Sequence, residues 1–552
     1  MTEPRTPTTI DSIAEDWVTT VTDLDPTIAT YIGLPGRLGE YGDYSPAGAE
    51  AMVSAAKRTL RALDLATPVD EVDRVTLADL RSTLELDIDA HDAKLHLRDL
   101  NVLASPATEI RDIFDLMPTE TESDWRDIAS RMKHLPAAVD GYIETLRTGI
   151  AEGVTPARRQ VLAVAELTAR VGDPAGFFSS FAGEAGDIPD SLRSELTAVA
   201  ATAADAYAGL TTFLRSELAP EATEVDAVGR EAYALHSRRF LGSTIDLDET
   251  YEWGIEELAR MTAEQESVAK QVSPGASVEQ AIAALDGDPA RILHGTAALQ
   301  EWMQQLSDRA VLELSQTQFD IPEQIRRLEC MIAPTQNGGI YYTGPADDFS
   351  RPGRMWWSVP VGVTEFSTWR ETTTVYHEGV PGHHLQIGQA VVNRGELNTW
   401  RRQLAGTSGH AEGWALYAER LMEQLGYLDD PGDRFGMLDA QRMRAARVVL
   451  DLGVHLGKPR LDGTGTWDFD YALEFFRANC HESAPSTLFE VNRYFGWPGQ
   501  APSYKVGQRI WEGIRDEAAA REGAAFDIRD FHRRALALGG VGLDTLRSAV
   551  IG

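Results

Sequence analysis

From about residue 10 to residue 320, apolar side chains recur every three or four positions with charged ones between them, as amphipathic helices require. The clearest case runs from 69 to 100, VDEVDRVTLADLRSTLELDIDAHDAKLHLRDL, and further helices are predicted over 125–152, 155–171, 189–218, 247–270 and 288–314. Turn-forming DPAG at 173–176, GEAGDIPD at 183–190 and SPGA at 273–276 separate them. After Ile325 the texture changes. RRLECMIAPTQNGGIYYTGPADDFSRPGRMWWSVPVG mixes glycine, proline and aromatics with short β-prone runs, which predicts a small sheet or hairpin inserted in the helical body. Helical patterning resumes near Ser367 and continues to the end.

The fold class this predicts is mainly α, a large multi-helix body enclosing a cleft. Neither a repeat nor a low-complexity linker divides the chain, so an N-terminal helical region over 1–324 and a catalytic region over 325–552 are expected to form one fused body.

Composition narrows the partners. Of 552 residues 43% are hydrophobic, enough for an extensive core. The 85 acidic residues against 51 Lys and Arg leave a net charge of −34, and short pairs such as Arg158–Arg159 and Arg401–Arg402 form no basic stripe. Nucleic acid is therefore not an expected partner. No apolar run reaches the roughly 18–20 residues of a membrane span, so no membrane partner is expected either. Two cysteines, Cys330 and Cys480, make no disulfide framework and read as buried thiols. With an N-terminal MTEPRTPTTIDSIAEDW that does not read as a signal peptide, the expectation is a cytoplasmic protein.

The chemistry concentrates in Tyr376-His377-Glu378-Gly379-Val380-Pro381-Gly382-His383-His384. Histidine and carboxylate are the ligands zinc prefers, and HExxH places two histidines one helical turn apart with the glutamate able to act on water. Here the fifth position is Pro381, so the strict motif fails. On an unbroken helix His377 and His384 would share a face but stand roughly 10 Å apart along the axis, and His383 would point elsewhere. Pro381 removes the hydrogen bond to the carbonyl of His377, four residues back, and a break there, loosened by Gly379 and Gly382, would bring His383 to the second-ligand position. His384 remains the alternative. A third ligand is expected from another helix, and Glu412 in Gly409-His410-Ala411-Glu412-Gly413-Trp414-Ala415-Leu416-Tyr417 is the candidate. His, Glu, His and a distant Glu in this order is the arrangement of gluzincin metallopeptidases.

These runs, with RYFGWPGQAPSYKVG and FHRRALALGGVGLDTL further on, resemble the bacterial family known as domain of unknown function 885, over nearly the whole chain. The resemblance implies a mostly helical, gluzincin-like metallopeptidase body with Zn2+ as cofactor. It also implies His377, His383 and Glu412 as ligands and Glu378 as general base. Tyr504 is the first candidate donor to a tetrahedral oxyanion, with Tyr494, Arg493 and His410 behind it. The segment Gly338 to Tyr342 looks like an edge strand able to pair with an extended peptide, Tyr341 and Tyr342 supplying contacts, while Arg351 or Arg354 could hold a carboxylate.

The function expected is zinc-dependent hydrolysis of short peptides, since a cleft walled by long helices would exclude folded proteins. Two alternatives stand beside it. One is hydrolysis of a non-peptide amide or ester metabolite. The other is a non-catalytic helical binding protein on a degenerate scaffold, with His377 and Glu412 too far apart to share an ion.

Overall fold

The computed structural model describes residues 5–334 and 339–552; Gly338 of the predicted edge strand lies outside them. The protein is mainly α, with strands confined to two small sheets among the described residues. Local chemistry starts and stops the helices where the sequence places the signals. Thr121 caps Glu122–Glu152 by accepting from the Asp124 N–H while Asp124 accepts from the Thr121 N–H, and Gly153 ends the helix in the left-handed region at φ 70°. Asp246 accepts from the N–H groups of Asp248 and Glu249 to open Leu247–Val272. Asp430 does the same for Gly432 and Asp433 at the start of Pro431–His455.

Apolar side chains gather into several cores. One, from Leu100 to Ala219, is built by the early helices alone. The largest draws on both sides of residue 325, joining Val75, Tyr233 and Met261 to Trp369, Trp414, Val449 and Trp511. Here Leu247–Val272 packs along Pro431–His455, and Ser408–Gln424 along Ser503–Glu522. The second pair approaches closely because of its glycines. A Cβ on Gly413 would lie 2.4 Å from the carbonyl carbon of Gly507, and one on Gly507 would lie 2.3 Å from the Gly409 oxygen. That contact brings the helix carrying Glu412 against the one carrying Tyr504.

The predicted sheet is present. The strands are β1 (Ile292–His294), β2 (Leu328–Ile332), β3 (Ile340–Thr343), β4 (Gly353–Trp357) and β5 (Glu365–Ser367). β4 lies between β2, which runs parallel to it, and β3, which runs antiparallel, so β3 is an edge strand. Met355 and Trp357 turn inward onto Leu299 and Met303 of the Thr296–Thr317 helix. The helix expected over 288–314 begins later, at Thr296. Residues 292–294 pair instead with β5, and this non-local pairing overrides the local pattern.

Candidate metal centre

Two short helices meet at the candidate cluster. Thr368–Glu378 ends with His377 and Glu378 on its last turn, and His383–Val392 begins with His383. Between them the chain leaves helical geometry at Gly379 to Gly382, around Pro381, as the proline predicts. The Gly382 N–H reaches back to the Tyr376 carbonyl at 3.1 Å, and the His384 N–H to that of Gly379 at 3.1 Å. The fold-back needs glycine at 382, where a Cβ would sit 1.9 Å from the His377 carbonyl oxygen. Trp414, two residues beyond Glu412, donates its indole N–H to the Pro381 carbonyl at 2.9 Å. The helix that carries Glu412 thus also holds the break that swings His383 into place.

The result is convergence. Nε2 of His377 lies 3.2 Å from Oε2 of Glu412, and Nε2 of His383 lies 3.5 Å from the same oxygen. The two imidazoles stand nearly perpendicular, with centroids 4.8 Å apart. Donors held at about 2.0–2.1 Å around a tetrahedral zinc ion are roughly 3.3 Å from one another, so these separations suit one ion. His377, His383 and Glu412 can hold a metal. The separation required of a scaffold disabled by its Pro-Gly insertion is not found.

The surroundings strengthen the fit. Nδ1 of His377 faces Oε1 of Glu419 at 2.8 Å, and the other Glu419 oxygen accepts from Gln441 at 3.0 Å. With the Nδ1 proton donated to Glu419, the lone pair of Nε2 points at a carboxylate oxygen. Electron-rich atoms facing at this distance need a proton or a cation between them. Burial alone would depress His377, but its bonds to Glu412 and Glu419 hold it up to about 10. Burial raises Glu412, yet His383 and His377 outweigh this and keep it well below the usual carboxylate range. The same field that favours a proton on His377 favours a divalent cation. Glu378 is buried, its Oε2 has no hydrogen-bond partner, and burial pushes its carboxyl up.

A cavity of about 820 Å³ opens over the cluster, within the roughly 300–1,000 Å³ of small-molecule sites. His377, Glu378, His383 and Glu412 line it, as do Tyr504, Arg493 and the edge-strand residues Tyr341 and Tyr342. Burial and the nearby Glu412 push the Tyr504 hydroxyl up to about 12, so it keeps its proton and can donate. The Tyr342 hydroxyl is already engaged with His384 at 2.9 Å, whereas Tyr341 is 40% exposed.

Several expectations are corrected. His384 does not join the cluster: its Nδ1 meets the Tyr342 hydroxyl and its Nε2 donates to the Ile325 carbonyl at 2.8 Å, so both nitrogens are engaged away from the cavity. His410 is buried outside the cavity with its ring against Trp511, because it precedes Glu412 by two residues and faces the far side of the helix. Arg351 braces its own loop through the carbonyls of Pro352 and Gly344, and Arg354 pairs with Glu329 at 2.8 Å; neither reaches the cavity. Tyr494 lies buried behind Arg493, its hydroxyl accepting from Arg447 and donating to Glu490. Glu419, Gln441, Arg444 and Arg447 have no place in the sequence-based site. Glu419 carried a readable signal: it follows Glu412 by seven residues, two turns along the same helix face.

Fold and site together define a mainly helical protein with a His-His-Glu cluster, its histidines buried and its glutamate half-buried, lining a cavity of about 820 Å³. The chain belongs to the family described as "Bacterial protein of unknown function (DUF885)", whose model matches residues 26–550. The structure of "the putative lipoprotein from Colwellia psychrerythraea" shares 21% identity at a TM-score of 0.84, with 98% of each chain covered. That of "a putative lipoprotein of unknown function from Shewanella oneidensis" shares 16% at 0.75, covering 99% of this chain and 100% of its own. These likenesses establish the fold. A Pyrococcus furiosus carboxypeptidase aligns over 99% of this chain and 96% of its own at 12% identity, but a TM-score of 0.36 does not establish a shared fold. No curated protein matches the chain.

The expected cytoplasmic location is overturned, since the Colwellia and Shewanella structures, which share this fold, are each described as a "putative lipoprotein". It rested on N-terminal composition and two cysteines, and neither determines compartment. Cys330 and Cys480 are indeed buried and free. Among the described residues no helix is long and apolar enough to cross a membrane.

Proposed function

We propose that the protein is a metal-dependent hydrolase of short peptides, with His377, His383 and Glu412 as ligands of a zinc-class divalent ion. The observation that carries this reading is the approach of both histidine Nε2 atoms to one Glu412 oxygen, with Glu378 unpartnered beside them. A divalent ion bound there would supply Lewis acidity, polarising a carbonyl and acidifying water. The chain's own groups supply the rest. Glu378, with an oxygen free of hydrogen bonds, accepts a proton from water and passes it to the leaving amine. Tyr504 donates its hydroxyl to the carbonyl oxygen as negative charge develops there. Glu419 fixes the His377 tautomer so that Nε2 remains available. The edge strand β3 offers backbone groups to an extended substrate, and Tyr341 offers a face to its side chains.

Metal analysis of purified protein, followed by peptidase assay of Glu378→Gln, tests this. Expected are one divalent ion per chain and a loss of roughly 100-fold or more in kcat with the metal retained. A chain that neither contains nor takes up a divalent ion, or full activity in Glu378→Gln, would sink the proposal.

A further inference from the structure

Four arginines line the cavity, and three are already engaged. Arg370 donates to Asp286 at 3.2 Å. Arg447 donates to the Tyr494 hydroxyl and Glu490 at 2.6 and 2.9 Å, and Arg493 to Glu490 and Gln500 at 3.0 and 2.6 Å. Arg444 differs. Among the described cavity residues it is the arginine with no hydrogen bond: its Nε is buried without a partner, and its nearest carboxylate oxygen, on Glu419, is 4.0 Å away. Its side chain is 15% exposed, and only Nε is cut off from solvent, so the two terminal nitrogens stay open to the cavity. A guanidinium whose terminal nitrogens make no hydrogen bond is free to take a ligand, and its planar fork fits a carboxylate through two parallel hydrogen bonds.

Arg444 follows Gln441 by one helical turn, and both approach Glu419, the carboxylate behind His377. Its guanidinium also stands 5.9 Å from the centre of the Tyr504 ring. The guanidinium therefore lines the same cavity as His377, Glu378, His383 and Glu412, where the part of a substrate next to the cleaved bond would lie. A neutral substrate would leave it without a hydrogen-bonded counter-charge, Glu419 standing 4.0 Å away.

We propose that Arg444 is a specificity determinant that binds a carboxylate on the substrate, so that the cavity selects short peptides bearing a free carboxylate beside the scissile bond. This rests on the hydrolase reading for the identity of the substrate, though not for the anion site itself. The carboxylate has two sources, the C-terminus or an acidic side chain.

Calorimetry on the zinc-loaded Glu378→Gln protein, which binds without turnover, separates them with glycyl-L-phenylalanine against its carboxamide, and glycyl-L-glutamate carboxamide against glycyl-L-glutamine carboxamide. A preference of about 10-fold or more for the acid in one pair is expected, the scale of a hydrogen bond to a charged group. That preference should fall to near one when Arg444→Gln is added. Equal binding within both pairs, or a preference that survives Arg444→Gln, overturns the proposal. So does a change confined to zinc affinity, which would mark Arg444 as a support for Glu419. Should Arg444→Gln not fold, Arg444→Met replaces it, with the same outcomes. Should the chain take up no zinc, the hydrolase reading fails, and the comparison on the metal-free protein still decides whether Arg444 binds carboxylate.

Discussion

His377 Nδ1 and Glu419 Oε1 stand 2.8 Å apart, their side chains only 6% and 1% exposed. This buried pair orients the imidazole that faces Glu412. Glu419→Gln keeps the shape and removes the charge. It should weaken zinc binding by about 10- to 100-fold, measured by competition with a chromogenic chelator, with helical content unchanged by circular dichroism.

The two neighbouring histidines should behave oppositely. His383→Ala should abolish stoichiometric metal uptake. His384→Gln should retain it while costing about 1–3 kcal/mol in urea unfolding, because it disturbs the buried bonds to Tyr342 and the Ile325 carbonyl. Metal content of the two variants checks this, and equal loss in both would count against the assignment of His383.

How much of this was legible beforehand follows from the range of the forces involved. Pro381 and its flanking glycines announced a break because the lost hydrogen bond lies only four residues away. The Glu412 helix was readable from its apolar stripe, and Trp414, Tyr417 and Leu421 are buried as that stripe requires. The pairing of β1 with β5 spans about seventy residues, and no local pattern encodes it. Arg351 and Arg444 look alike in sequence. Only packing decides that one meets the backbone carbonyls of its loop while the other is left facing the cavity.

Close helix packing predicts a third outcome. Gly413→Ala would press a methyl against the Gly507 backbone at 2.4 Å and force two helices apart. A loss of about 1–3 kcal/mol is expected in chemical denaturation. Because Tyr504 lies one turn from Gly507, peptidase activity should fall as well, and unchanged stability would show that the helices have room to shift.

A pH dependence follows from Asp451, which is fully buried and accepts at Oδ1 from the Tyr233 hydroxyl at 2.6 Å and the Gly499 N–H at 3.0 Å. Burial pushes its carboxyl from 3.8 up to about 7. The folded chain holds this proton to a higher pH than the unfolded chain does. The stability it contributes is complete below about pH 3.8 and is lost as pH rises through about 7. Asp451→Asn keeps the Oδ1 acceptor and cannot ionise. Its stability relative to wild type should therefore rise by about 2–4 kcal/mol between pH 4.5 and 8. Parallel curves across that range would contradict the assignment.

The indole bond from Trp414 to the Pro381 carbonyl ties the placement of His383 to the docking of a helix some thirty residues further on. A peptide cut from 368 to 392 would contain His377, Glu378 and His383 yet lack Glu412, Glu419 and the indole that secures their relative positions. Such a fragment should bind an ion weakly, as free histidines do. In the intact chain, ion affinity and helix docking are thermodynamically linked, so a chelator titration doubles as a gauge of how firmly the C-terminal helices are assembled.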